Sequence, residues 1–185
     1  FFTYRGYRIN KRNNALLSKQ NDEINLQNMI IEEKNKNITD SIAYAKRIQS
    51  AILPPETLLN EYLKNGFIYY EPKDIVAGDF YWLEKSSDQV LFAAADCTGH
   101  GVPGAMISVV CHNALNRAVR EFGLTNPAEV LNKVRDLVIE TFEKSEEEVS
   151  DGMDISLCTL DRKNKELKYS GANNSLYIVR KGELI

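Results

Sequence analysis

Leu91-Phe92-Ala93-Ala94-Ala95-Asp96-Cys97-Thr98-Gly99-His100-Gly101-Val102-Pro103-Gly104 reads as an apolar strand running into a glycine-rich loop and then a helix. The acid at the end of the strand is the informative residue. A carboxylate presented beside a loop of three glycines, whose backbone carbonyls are also accessible, suits a hard divalent cation. The loop lacks the lysine of a P-loop and the spacing of a dinucleotide-binding turn, so a nucleotide cradle is disfavoured. The stretch just upstream, Lys73-Asp74-Ile75-Val76-Ala77-Gly78-Asp79-Phe80-Tyr81-Trp82, has the same character: Gly78 permits close backbone approach, and Asp79 opens an aromatic strand. A carboxylate buried there needs a cation or donors, because an unpaired one costs several kcal/mol. Asp79 as a plain turn acid is the alternative.

Working outward, stretches 67–70, 79–83 and 90–95 are predicted strands, the last two joined by the turn formers Ser86-Ser87-Asp88. Helices are expected over 104–122 and 127–144, the second capped by Asn126 with Pro127 in its first turn. Strands return at 155–160, 167–169 and 176–180, with a polar hairpin turn over 161–165. Strands grouped on either side of a helical pair imply an antiparallel sheet with helices on one face, an α+β layer arrangement rather than a Rossmann fold. Ser150-Asp151-Gly152-Met153-Asp154 places two further acids at the mouth of a strand, where a solvated acidic loop continuing Glu146-Glu147-Glu148 is an equal reading.

N-terminal to this region, residues 7–53 contain no Gly or Pro, and Pro54-Pro55 ends the run, so one long helix is expected. Every seventh residue from Leu17 is apolar: Leu17, Ile24, Ile31, Ile38, Ala45 and Ile52. Three residues earlier in each heptad stand Asn14, Asn21, Asn28, Asn35, Ile42 and Gln49. An apolar seam beside an Asn-rich one describes a parallel coiled coil of two strands with fixed register and reduced stability. The expectation is a homodimer through residues 13–53, with 1–53 a signalling helix and 54–185 a globular domain. The alternative is a helix packed on its own domain.

Two segments resemble one family. Ala77-Gly78-Asp79-Phe80-Tyr81, followed by Ala95-Asp96-Cys97-Thr98-Gly99-His100-Gly101-Val102-Pro103-Gly104, is similar to the metal-dependent type 2C protein serine/threonine phosphatases, in their bacterial SpoIIE-like (RsbU-like) branch. Residues 42–54, Ile-Ala-Tyr-Ala-Lys-Arg-Ile-Gln-Ser-Ala-Ile-Leu-Pro, resemble the linker helix preceding such domains. The likeness extends over residues 38–185. It implies an α-β-β-α sandwich holding two Mg²⁺ or Mn²⁺ ions and hydrolysing phosphoserine or phosphothreonine on a regulatory protein, for example an anti-sigma factor antagonist. By that resemblance Asp79 and Asp96 are metal-binding and catalytic acids, Asp96 bridging the ions, and the carbonyl of Cys97, where many relatives have Gly, is a further ligand. Lys73 is the candidate phosphate holder. His100, between Gly99 and Gly101, is a candidate proton donor to the leaving alkoxide or simply a loop residue. The family's later acids, in a Ser/Thr-Asp-Gly motif and beyond it, have no match after Ser170-Gly171-Ala172-Asn173-Asn174. Asp151 and Asp154 stand too early to replace them and receive no role. The sandwich is expected to be incomplete.

Composition narrows the field. The 185 residues carry 23 Lys+Arg against 26 Asp+Glu, a net charge of -3. There is no overall basic footprint, so nucleic acid is not expected as a partner. Three irregularly spaced cysteines argue for a reducing compartment and a cytoplasmic chain. Arg5, Arg8, Lys11 and Arg12 precede the first acid, Asp22. That pattern fits the cytosolic edge of a membrane helix belonging to an upstream sensor, and equally a chain boundary. Zinc held by Cys97, His100, Cys111 and His112 is strained because adjacent helical residues diverge by about 100°. No Gly-x-Ser-x-Gly elbow supports a hydrolase triad, and no Gly-Gly-acid hairpin supports a nucleotidyl cyclase. A catalytically silent dimeric interaction module is the competing function.

Overall fold

The computed structural model describes residues 2–64, 66–143 and 151–185. The expectations touching Asn65, Lys144, Glu146 to Glu148 and Ser150 lie outside the described residues. Two compact units divide between Ile42 and Ala43. Helix α1 spans Phe2–Ile52. It starts earlier than the expected boundary, running through Gly6, and ends just before the Pro54-Pro55 stop.

In the first unit the described side chains are exposed as far as Ser41, and Leu17, Ile24, Ile31 and Ile38 are each more than half exposed. In the second unit the same heptad pattern continues, but its use changes. Gln49 is buried, and Ala45 and Ile52 are half-buried. The expected dimer seam therefore shortens to Leu17 through Ile38, because the last turns of the helix are already occupied by their own globular unit.

The globular unit adds α2 (Glu56–Tyr62), β1 (Phe80–Ser86), β2 (Gln89–Cys97), α3 (Gly101–Arg120), α4 (Pro127–Phe142), β3 (Met153–Asp161), β4 (Glu166–Ala172), β5 (Val179–Arg180) and β6 (Glu183–Leu184). Strands β1 to β4 form an antiparallel sheet in sequence order, and β5 and β6 pair separately. The period of two along the strands splits the sheet into two faces. One face presents Phe80, Trp82, Leu91, Ala93, Ala95, Cys97, Ile155 and Leu157, which join Ile107, Cys111, Leu115 and Ala118 of α3 and Val130, Val134 and Leu137 of α4 in a single buried core. Burying each large side chain contributes about 1.5–3 kcal/mol. Inside this core, the Trp82 indole N–H donates to Asn116 Oδ1 at 2.9 Å. The Asn126 side chain caps α4 by accepting from the Ala128 N–H at 3.0 Å, as its position before Pro127 predicts.

The opposite face is covered only in part. Leu83, Val90 and Phe92 pack under Leu58, Leu59, Tyr62 and Leu63 from the α2 region and under Ile68. Toward the other end of β2, Ala94 and Asp96 are exposed. The architecture is α+β, with one helical layer on one antiparallel sheet: half of an α-β-β-α sandwich among the described residues.

Two expected strands are corrected. Residues 67–70 form no strand, although Phe67 and Tyr69 are exposed while Ile68 and Tyr70 are half-buried. The alternation is real, but it reflects packing on the Leu59–Leu83–Val90 cluster without a hydrogen-bonded neighbour. The strand expected over 176–180 shrinks to Val179–Arg180, because Lys181 and Gly182, both at positive φ, turn the chain at once into Glu183–Leu184. The Asp161 hairpin behaves as expected: its carboxylate accepts from the Lys163 and Asn164 N–H groups, each at 2.9 Å, which holds its pKa below the usual value.

Candidate active site

The two acids singled out in the sequence come together. Phe80 of β1 pairs with Ala95 of β2, so Asp79 and Asp96 stand one step further along, side by side on the face away from α3 and α4. The two carboxyl groups are close enough to raise the proton affinity of Asp79. Partial burial raises the pKa of Asp79 first, and the hydrogen bond and negative charge of Asp96 raise it further. Burial, followed by the charge of Asp79, likewise raises Tyr70, whose hydroxyl donates to the Asp79 carbonyl at 3.1 Å. Asp154 joins the row as the register partner of Asp96, and its carboxylate accepts from Asn173 Nδ2 at 2.7 Å. Asp151 is half-buried at the start of the segment leading into β3.

Backbone contact between the two loops fixes this arrangement. A Cβ on Gly78 would lie 2.7 Å from the Gly99 carbonyl oxygen and 3.1 Å from that of Cys97. Gly104, in the first turn of α3, closes on Gly99 and on the Gly78 Cα from the other side. Gly99 and Gly101 have φ of +84° and +62°, so the loop passes through conformations that favour glycine twice in three residues. His100 sits between them, largely exposed, with its Nδ1 2.8 Å from Asp74 Oδ2. This pair links the Asp79 segment to the Asp96 loop a second time. Lys73, next to Asp74, is exposed, and among the described residues no ion pair holds it.

Gln49 is the site residue that sequence reasoning missed. From the last turn of α1 its Oε1 accepts from the Ala77 N–H at 3.0 Å, while its Nε2 donates to the Ala77 carbonyl at 2.6 Å and to Ser108 Oγ at 2.9 Å. One side chain thus satisfies both backbone groups of Ala77, two residues before Asp79, and ties them to α3. The available signal was Gln49 itself, the one glutamine at a heptad position otherwise filled by Asn or Ile.

The zinc reading fails on geometry. Cys97 and Cys111 are buried against each other, and their mutual hydrogen bond, followed by burial, pushes the Cys97 thiol far up, leaving it protonated. His112 is buried beside Phe80 and Asn116, and burial lowers its pKa. Among the described residues no three His, Cys, Asp or Glu side chains are grouped to hold a metal ion. Asp79 and Asp96 nevertheless fit a hard cation as two members of a donor set. They are adjacent acids held side by side by the β1–β2 register, and the carbonyl of Cys97 follows Asp96 directly.

The family model for Stage II sporulation protein E (SpoIIE) matches residues 86–184, more than half of the chain. The chain belongs to the SpoIIE family. That match includes Asp96, while Asp79 lies just before it. The SiaA-PP2C domain of Pseudomonas aeruginosa is similar in structure, with a TM-score of 0.69 and 35% identity over 77% of this chain and 56% of that one. The chain therefore spans little more than half the length of this relative. The RsbU and RsbW domains of Rv1364c from Mycobacterium tuberculosis align less well, with a TM-score of 0.41 and 21% identity over 54% of this chain and 26% of that one. No curated protein matches the sequence. The fold and family expected from the Gly78-Asp79 and Asp96-Cys97 segments thus stand.

Proposed function

We propose that this SpoIIE-family chain carries the first part of a metal-dependent protein serine/threonine phosphatase site that acts on a regulatory phosphoprotein. The observation that carries the reading is the β1–β2 register, which sets Asp79, just before β1, beside Asp96 of β2. Asp79, Asp96 and the Cys97 carbonyl are the groups that would hold Mn²⁺ or Mg²⁺, two ions being expected once later acids are added. A bound ion of this kind acidifies water and offsets phosphoryl charge. The chain's own residues then position and move protons. Lys73, exposed six residues before Asp79, is the candidate for holding phosphate. With Nδ1 engaged by Asp74, His100 keeps Nε2 for the leaving oxygen.

Metal-dependent turnover of p-nitrophenyl phosphate and of a phosphoserine peptide tests this reading. The 185-residue chain is expected to be nearly inactive with Mn²⁺, and a chain carrying the family's later acids clearly active. Robust turnover by the shorter chain would show that later acids are unnecessary. Inactivity of the longer one would favour the silent interaction module.

We further propose that α1 conveys an upstream signal on the cytoplasmic side of a membrane protein, as a homodimer. Leu17, Ile24, Ile31 and Ile38 form an exposed apolar stripe at heptad spacing, and Gln49 connects the end of the same helix to the backbone before Asp79. Sedimentation equilibrium should give a dimer for the chain and a monomer for Ile24→Asp with Ile31→Asp. Both side chains are exposed, so the protomer's own packing is untouched. A wild-type monomer at tens of micromolar, or a dimer that survives both substitutions, would refute this seam.

A further inference from the structure

The N-terminal stretch of α1 is strongly basic. Arg5, Arg8, Lys11, Arg12 and Lys19 are five of the 23 basic residues, and none of the 26 acids precedes Asp22. Residues 1–21 therefore hold +5, against -8 over the remainder. At about 100° per residue, Arg5, Arg8, Lys11 and Arg12 fall within roughly one third of the helix circumference. Tyr4 lies in the same arc and Tyr7 near its border, 69% and 65% exposed.

Cations interleaved with amphipathic aromatic rings on one helical face form the pattern that settles at a charged lipid interface. We propose that this face of α1 docks on a bilayer surface rich in anionic phospholipid. Both phosphate and serine-type headgroups offer the negative charge that the arginines need, and tyrosine rings suit the headgroup layer. The stripe is convex and runs for only about 12 Å along the helix axis. That length is short for tracking a nucleic-acid backbone.

The test uses the whole chain and two kinds of vesicle, phosphatidylcholine alone and phosphatidylcholine with about one third phosphatidylserine. Cosedimentation is expected only with the second, and it should be lost at roughly 0.5 M NaCl as the Debye length shortens. Each basic residue near such a surface strengthens binding about fivefold, so Arg8→Gln with Arg12→Gln should weaken it by roughly 25-fold. Both side chains are exposed, and far-UV circular dichroism checks that the helix persists. Equal binding to both vesicles, no binding to either, insensitivity to the double substitution, or tighter capture by poly-uridine than by the anionic vesicles would each overturn the proposal.

Discussion

Asp96→Asn is expected to do two opposite things: stabilise the metal-free protein at pH 7 and erase its thermal response to Mn²⁺. Asp79 has its pKa raised by burial, by its hydrogen bond with Asp96 and by the charge of Asp96. Between the ordinary carboxylate value and the raised one, the folded state therefore binds more protons than the unfolded chain. Stability from this pair is fully present below the ordinary carboxylate pKa and declines as pH rises through the raised value. Replacing Asp96 by Asn removes the like charge, so that decline should flatten and the apparent melting temperature at neutral pH should rise. The same change removes a charge proposed to bind the metal. A ligand matters more than the outer-shell groups whose loss costs 10–100-fold, so turnover by a chain carrying the later acids should fall by more than roughly 100-fold. Asp79→Asn should behave alike, whereas Asp88→Asn, in the β1–β2 turn, should change nothing. Differential scanning fluorimetry across pH, with and without Mn²⁺, reads both signs. Retention of the wild-type Mn²⁺ response by Asp96→Asn would remove the metal assignment and the main ground for a phosphatase.

The elements legible in the sequence are those whose signals are local. Asn126-Pro127 marks a helix start by side-chain capping and a preset φ, and α4 begins there. Leu91 to Ala95 can be read as a strand because an apolar run ending in Asp-x-x-Gly has few other uses. Residues 67–70 have a strand-like alternation without becoming a strand, since pairing depends on a neighbour that composition does not reveal. The heptad of α1 is also readable, but one periodicity serves two surfaces. Leu17 to Ile38 remains exposed, while Gln49 turns into the globular unit.

The site is half legible for a comparable reason. Asp79 and Asp96 advertise themselves through nearby glycines, and the register between β1 and β2 brings them together. Neither Gln49 nor Asp74 has such a mark. Gln49 acts from 28 residues away on Ala77, and Asp74 from 26 residues away on His100. These pairings exist only after the chain has folded. Asp154 stands too far along the chain from the expected motifs to be read with them, yet the β2–β3 register seats it opposite Asp96.

Gly104→Ala should be among the most damaging single-methyl additions in the chain. Its Cβ would press on the Gly99 carbonyl and stand 2.8 Å from the Gly99 carbonyl carbon and 3.1 Å from the Gly78 Cα. Every one of these neighbours is backbone, so no side chain can rotate away. Overpacking of this kind costs about 1–3 kcal/mol or more, which in a domain this size lowers the melting temperature on the order of 10 °C. Relief can come only if the Gly99 loop moves away from Gly78, and those two segments deliver Asp96 and Asp79. The Mn²⁺ response should consequently fall even at temperatures where the variant remains folded. Gly78→Ala attacks the same contact from the opposite side and should share both effects. Two controls separate sterics from backbone conformation. Gly152→Ala meets nothing within 4 Å and should be nearly neutral. Gly123→Ala also meets nothing but has φ +66°, so it should cost about 1 kcal/mol and leave the metal response intact. A melting temperature for Gly104→Ala within about 2 °C of wild type would mean that the two loops are not locked together as their backbone contacts indicate.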